Sequence, residues 1–176
     1  SRYREQFVDL EPGTLAFTAK WKEVAAHDPT GFAKDQHDFT QSLYYDTQMQ
    51  RLRDAGLDLS YRGAAVQDAL WSTSAQYKDL TLPLFLNGLR QAHGEHYDLA
   101  ALTDEQIVRA VQDYKIDHIQ SHFSGSPDLW PGLRDRAVSE KDELVLLARY
   151  DTVNRHPEVY RGKDYQQIFG EAEPQQ

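Results

Sequence analysis

Apolar residues recur along this chain at spacings of three and four, and strict alternation of apolar with polar positions is scarce. That period is helical, and Gly and Pro fall mostly between the periodic runs. The first run follows EPGT (11–14), carries Leu15, Trp21 and Val24 on one face, and ends at HDPTG (27–31). The second places Phe32, Gln36, Phe39 and Leu43 on one side, bends near Tyr45, and continues through Met49 and Leu52 to Ala55. Gly56 then suits a left-handed C-cap. Ser60 is the expected N-cap of the helix that follows GLDLSYRG. LPLFLNGLRQAHG (82–94) is a further apolar helix, with Pro83 tolerated in its first turn. Thr103 and Gln106 make a capping box ahead of the stripe Ile107, Val111, Tyr114 and His118, with Ile119 beside it. SGSP (124–127) breaks that run, two helices are expected over 128–137 and 139–155, and the segment from Pro157 is short and aromatic. No repeat or low-complexity linker interrupts the pattern. The expectation is a single all-α domain over 1–176, with a frayed, disordered tail EAEPQQ at 171–176.

One stretch departs from an ordinary surface helix. YRGAAVQDALWSTSAQY (61–77) has one charge, Asp68, between Arg62 and Lys78, yet it keeps Gln67, Ser72, Thr73, Ser74 and Gln76. At about 100° per residue, Val66, Ala69, Leu70, Thr73 and Tyr77 share one apolar side, and Ala64, Trp71 and Ala75 a second. Two polar strips separate them: Gln67 with Ser74, and Asp68 with Ser72 and Gln76. An edge helix shows one apolar stripe and one charged face, so two apolar sides predict a central buried helix over 63–78. Amides and hydroxyls buried there need partners, because an unpaired one costs about 1–3 kcal/mol. In one reading the strips hold neighbouring loops and helices in register. In the other, Asp68, Ser72 and Gln76 line a cleft whose donors and acceptors suit sugar hydroxyls. Spacing alone leans to the first.

Composition narrows the class. The chain has 176 residues, 40% hydrophobic, with ten Tyr, seven Phe and three Trp. It is long enough to bury a core and too apolar for a disordered segment. A net charge of −9 argues against a nucleic-acid partner. No run of 18 apolar residues offers a membrane span. Cys is absent, which excludes disulfides and thiolate chemistry. The chain opens SRYREQFVDL, without an initiator Met or an apolar leader, and so reads as a C-terminal fragment of a longer polypeptide, expected to be monomeric.

Signatures for nucleotide binding, zinc proteolysis and serine hydrolysis are absent. His93 with His96, and His118 with His122, have spacings a metal could use, but no third ligand accompanies either pair; neither metal nor cofactor is expected. His37 beside Asp38 reads as a packed or capping residue. With 28 carboxylates, no pair stands out by spacing. Glycoside hydrolysis needs one carboxyl acid and often a second carboxylate across the sugar. Glu5, Asp9, Glu11 and Asp68 are the candidates, because they lie near the apparent core or the chain's start.

Three stretches are familiar together: DLEPGTLAFTAKWKEVAAHDPTGFAKDQHDF (9–39), GLDLSYRGAAVQDALWSTSAQYKDL (56–80) and, more weakly, DEQIVRAVQDYK (104–115) with GLRDRAVSEKDEL (132–144). Their order and spacing resemble the lysozyme-like peptidoglycan hydrolase domains of phage tail-associated proteins and of bacterial toxin C-termini, type VI secretion effectors included. The most specific part is Ser60, Arg62, Val66, Gln67, Trp71, Ser72 and Gln76. The resemblance implies an all-helical fold akin to lysozymes and chitosanases. It implies cleavage of peptidoglycan glycan strands between N-acetylmuramic acid and N-acetylglucosamine, in the periplasm or after secretion, with an immunity protein as a further partner. Tyr61, Arg62, Gln67, Trp71, Ser72 and Gln76 are then the expected substrate-binding residues. Such domains also carry a catalytic Glu near the front, before a glycine-rich stretch of the SYG-x-YQ kind. Neither precedes SRYREQF, so the main acid is expected upstream of residue 1 or among Glu11, Asp68 and Glu5. Where the group commonly has His-Gly, this chain has Tyr77 and Lys78. The alternative is a noncatalytic wall-binding or structural module, whose polar strips would be paired within a core that has no groove.

Overall fold

Thr14 begins the first helix as the sequence predicts: its Oγ1 accepts from the backbone N–H of Phe17 at 3.2 Å, the N-cap arrangement that satisfies a free helix-start donor. The structure, a computed structural model, describes residues 3–11 and 13–170. The tail expected at 171–176 lies outside them. No strand occurs among the described residues, so the all-α expectation holds there. Two compact units divide the chain, Ser1–Thr47 and Gln48–Gln176.

The first unit contains a short 3₁₀ turn, Arg4–Phe7, and the helices α1 (Leu15–His27) and α2 (Pro29–Gln41), followed by a π-helical turn, Ser42–Asp46. Tyr3, Val24 and Phe32 form its core, with Phe7 and Ala25 packed against them. Trp21 meets Phe32 edge to face at 4.8 Å between ring centroids. Asp28 joins α1 to α2. One carboxylate oxygen accepts from Gly31 N at 3.0 Å, and the other from the Tyr3 hydroxyl at 2.5 Å. Leu15, expected on the buried face, is 90% exposed; it is the first residue of α1 and lies beyond the aromatic cluster.

The second unit contains α3 (Thr47–Asp54) from its second residue on, α4 (Ala64–Tyr77), α5 (Thr81–His93), α6 (Asp104–Asp117), α7 (Ile119–His122), α8 (Trp130–Arg155) and α9 (Tyr165–Phe169). Gly56 has φ +83°, the predicted left-handed cap. Ser60 is not the N-cap of α4. Its N–H and hydroxyl both donate to Asp58 Oδ1, at 3.0 and 2.6 Å, and the cap is Gly63. Glycine lets two carboxylates approach closely there: a Cβ would lie 2.5 Å from Asp151 Oδ2 and 2.7 Å from Asp104 Oδ2, and both side chains would have to shift.

The α4 helix is central in this unit, packing on α5, α6 and α8. Its buried face comprises Ala65, Val66, Ala69, Leu70, Thr73, Ser74 and Tyr77. The second apolar side is not covered: Ala64 and Ala75 are exposed and Trp71 is half-buried. The two helices expected over 128–137 and 139–155 are one. Nothing after Gly132 breaks the backbone, and Ala137, Leu144, Val145 and Ala148 bury one unbroken stripe. The capping box of Thr103 and Gln106 is complete at the start of α6. Arg149 of α8 crosses to it, donating from Nε and an NH2 nitrogen to the two Glu105 oxygens at 3.0 and 2.9 Å, and to Ile168 O of α9 at 3.0 Å.

Candidate functional site

The uncovered side of α4 faces α8 across a groove of about 650 Å³. Asp68 and Ser72 reach it from one turn of α4, at i and i+4, with Trp71 beside them. Arg136, Ser139, Glu140 and Glu143 reach it from α8, over Leu144 and Leu147. The i, i+3 and i, i+4 spacings put these side chains on one face of each helix. The groove therefore combines an indole face, two hydroxyls, a guanidinium and three carboxylates over an aliphatic floor. Those groups suit a polyhydroxylated ring, which stacks on an aromatic face and needs many donors and acceptors.

One of the three carboxylates is held from within. Ser72 Oγ donates to Glu140 Oε1. Lys115 of α6 addresses the same oxygen from the interior, with Nζ at 3.8 Å. Lys115 is 1% exposed, and its Nζ makes no hydrogen bond among the described residues. Burial pulls its ammonium down to about 8, against the opposing pull of Glu140. Nζ also lies 5.7 Å from the centre of the Tyr77 ring, within cation–π range. Burial, and then the Glu140 charge, push the Tyr77 hydroxyl up to about 12.

The structure separates the residues that the sequence placed together. Asp68, Trp71 and Ser72 line this groove, while Gln76 is half-buried beyond its lining. Tyr61 and Arg62 line a second cleft, of about 450 Å³, with Asp104, Asp151 and Tyr160. Arg62 is a clamp there: it donates to the carbonyls of Leu99 at 2.5 Å and Leu102 at 2.6 Å and pairs with Asp104 at 3.2 Å. Gln67 donates to Leu59 O at 2.8 Å and Arg62 O at 3.2 Å, fastening the connector before α4. Glu5, Asp9 and Glu11 are exposed side chains of the first unit.

The histidine pairs are placed by packing. His118 stacks on Tyr114 at 3.9 Å, its Nδ1 2.9 Å from Tyr114 O. His122 meets the Tyr77 ring edge-on at 5.4 Å. No group of three or more His, Asp or Glu side chains among the described residues could hold a metal ion. No helix among them is long and apolar enough to cross a membrane.

Sequence reasoning missed Lys115, Arg136, Glu140 and Glu143. Lys115 did leave a signal: it stands four residues after Val111 and eight after Ile107, a charge at an apolar register. Glu140 and Glu143 left none, since α8 is rich in acids throughout.

Over residues 1–141 the chain matches the family described as "Type VI secretion system spike protein VgrG3-like, C-terminal", and it belongs to that family. It is 38% identical over 149 residues to the type VI secretion system spike protein VgrG3 of Vibrio cholerae serotype O1 (strain ATCC 39315 / El Tor Inaba N16961). That match covers 84% of this chain and 14% of the Vibrio protein, so the chain spans about a seventh of its relative.

Proposed function

We propose that this chain is a lysozyme-like glycoside hydrolase domain that cleaves the glycan strands of peptidoglycan between N-acetylmuramic acid and N-acetylglucosamine. The observation that carries the reading is the α4–α8 groove. It sets Asp68, Glu140 and Glu143 beside the Trp71 indole and the hydroxyls of Ser72 and Ser139, the mixture of charge and stacking surface that glycoside hydrolysis uses. Membership of a type VI spike family supports the setting of this reading, in which the domain is carried on the spike and delivered to the periplasm of a target cell. Delivery also accommodates the charge. A chain of net charge −9 is not drawn electrostatically to an anionic wall, and a domain placed there by a spike does not depend on that attraction. A producer of such a domain needs protection, so an immunity protein that covers the groove is the expected partner.

The test is digestion of purified peptidoglycan by the chain, followed by mass spectrometry of the soluble products. The reading expects disaccharide muropeptides with new N-acetylmuramic acid reducing ends. Binding to the wall without release of fragments, both by this chain and by one extended at its N-terminus, would overturn it and favour a noncatalytic wall-binding module.

A further inference from the structure

We propose that Lys115 and Ser72 are positioning residues that fix Oε1 of Glu140 inward, so that Oε2 serves as the groove's working anionic oxygen. The proposal rests on the glycan-cleaving reading above and specifies how the groove acts.

Three observations converge on one atom. The Ser72 hydroxyl donates to Oε1 from α4. The Lys115 ammonium lies 3.8 Å from Oε1, from α6. Glu140 itself comes from α8 and lines the groove. Both partners of the carboxylate therefore fall on one oxygen and arrive from different helices. Oε2 has no partner among the described residues.

A purely structural role accounts poorly for Lys115. Its register on α6 is apolar, and it lies between the buried residues Val111 and Ile119. An ammonium taken out of water there is costly. An ion pair at 3.8 Å with no hydrogen bond is a weak offset. A Met side chain would occupy the same stem volume without the charge. What the charge does accomplish is to hold a carboxylate whose other oxygen is free.

Glycoside hydrolysis gives such an oxygen a task. Positive charge develops on the sugar ring as the glycosidic bond stretches. A carboxylate already fixed opposite that charge stabilises the transition state more than the neutral substrate. This work is electrostatic and needs no bond between Glu140 and the sugar.

The surroundings give the arrangement a pH signature. The groups facing Lys115 are Glu140 and Arg136 from α8 and Tyr77 from α4. Tyr77 stays neutral until about pH 12. Burial lowers His122 from its ordinary value, so it does not titrate in the alkaline range. As pH rises through about 8, Lys115 loses its proton, and Oε1 loses its ionic partner.

The test is the initial rate of muropeptide release, at several substrate concentrations and pH values, by the wild-type chain and by Glu140→Gln and Lys115→Met. Circular dichroism and the thermal midpoint serve as fold controls. Glu140→Gln should lose about 100-fold or more in kcat with KM little changed. Lys115→Met should fold at least as stably as the wild type. It should lose about tenfold in kcat, and it should lack the fall in rate through pH 8 that the wild type shows. A folded Lys115→Met with wild-type kcat and pH profile would overturn this proposal and leave the glycan-cleaving reading standing. No release by the wild-type chain or by one extended at its N-terminus would remove both.

Discussion

At the scale of single residues, the backbone at position 78 carries a conformational cost. Lys78 ends α4 with φ +50° and ψ −119°, a region that glycine enters freely and a Cβ disfavours. Lys78→Gly should raise the free energy of unfolding by about 1 kcal/mol, measured by urea titration. An unchanged or lower value would mean that the Lys78 side-chain contacts outweigh the strain. The sequence was most informative about residues where the chemistry is local. Gly56 and the Thr103–Gln106 pair act within a few positions of themselves, and the structure places both as expected, while Thr14 caps α1 where EPGT ends. Ser60 misled because α4 starts three residues later, with Gly63 as its N-cap, and Ser60 belongs instead to the turn built on Asp58. Asp58, two residues earlier, took its hydroxyl.

At the scale of elements, the hydrophobic period fixed the helices but not how they divide or which sides they bury. The α8 helix runs through Val138, where the two expected helices were to part, because the buried stripe from Ala137 to Ala148 is continuous. The α4 helix showed two apolar sides in sequence, yet only one is packed; the other forms a groove wall. The tie between α6 and α8 has consequences for pH. Burial alone would raise the Glu105 carboxyl, but the hydrogen bonds and charges of Arg149 and Arg109 outweigh it and hold it below its ordinary value of 4.5. A lowered carboxyl stabilises the fold above that value, and the contribution is lost as pH falls through the lower, folded value. Denaturant titrations from neutral pH down through the carboxylate range should show the wild type losing stability steadily. Glu105→Gln should start less stable and show a shallower decline. Parallel curves for the two proteins would contradict the assignment.

At the scale of the whole molecule, the all-helical class was legible from periodicity and the groove was not. Its walls join Ser72 to Glu140, 68 positions apart, a distance over which sequence pattern carries no register. The reading from spacing leaned toward paired polar strips, and the structure divides them: Gln67 is fastened to the connector, while Asp68 and Ser72 open onto the groove. Tyr61 and Arg62, grouped with them by motif, line a separate cleft. The central claim is that glycan lies between α4 and α8. It is tested most directly by amide NMR of the Glu140→Gln chain, in which the ligand survives, titrated with an oligosaccharide of alternating N-acetylglucosamine and N-acetylmuramic acid. The account predicts saturable shifts at the Trp71 indole and at Ser72, Ser139 and Glu143, with Tyr61 and Arg62 unmoved. Shifts confined to the Tyr61 cleft, or none up to millimolar ligand, would contradict it.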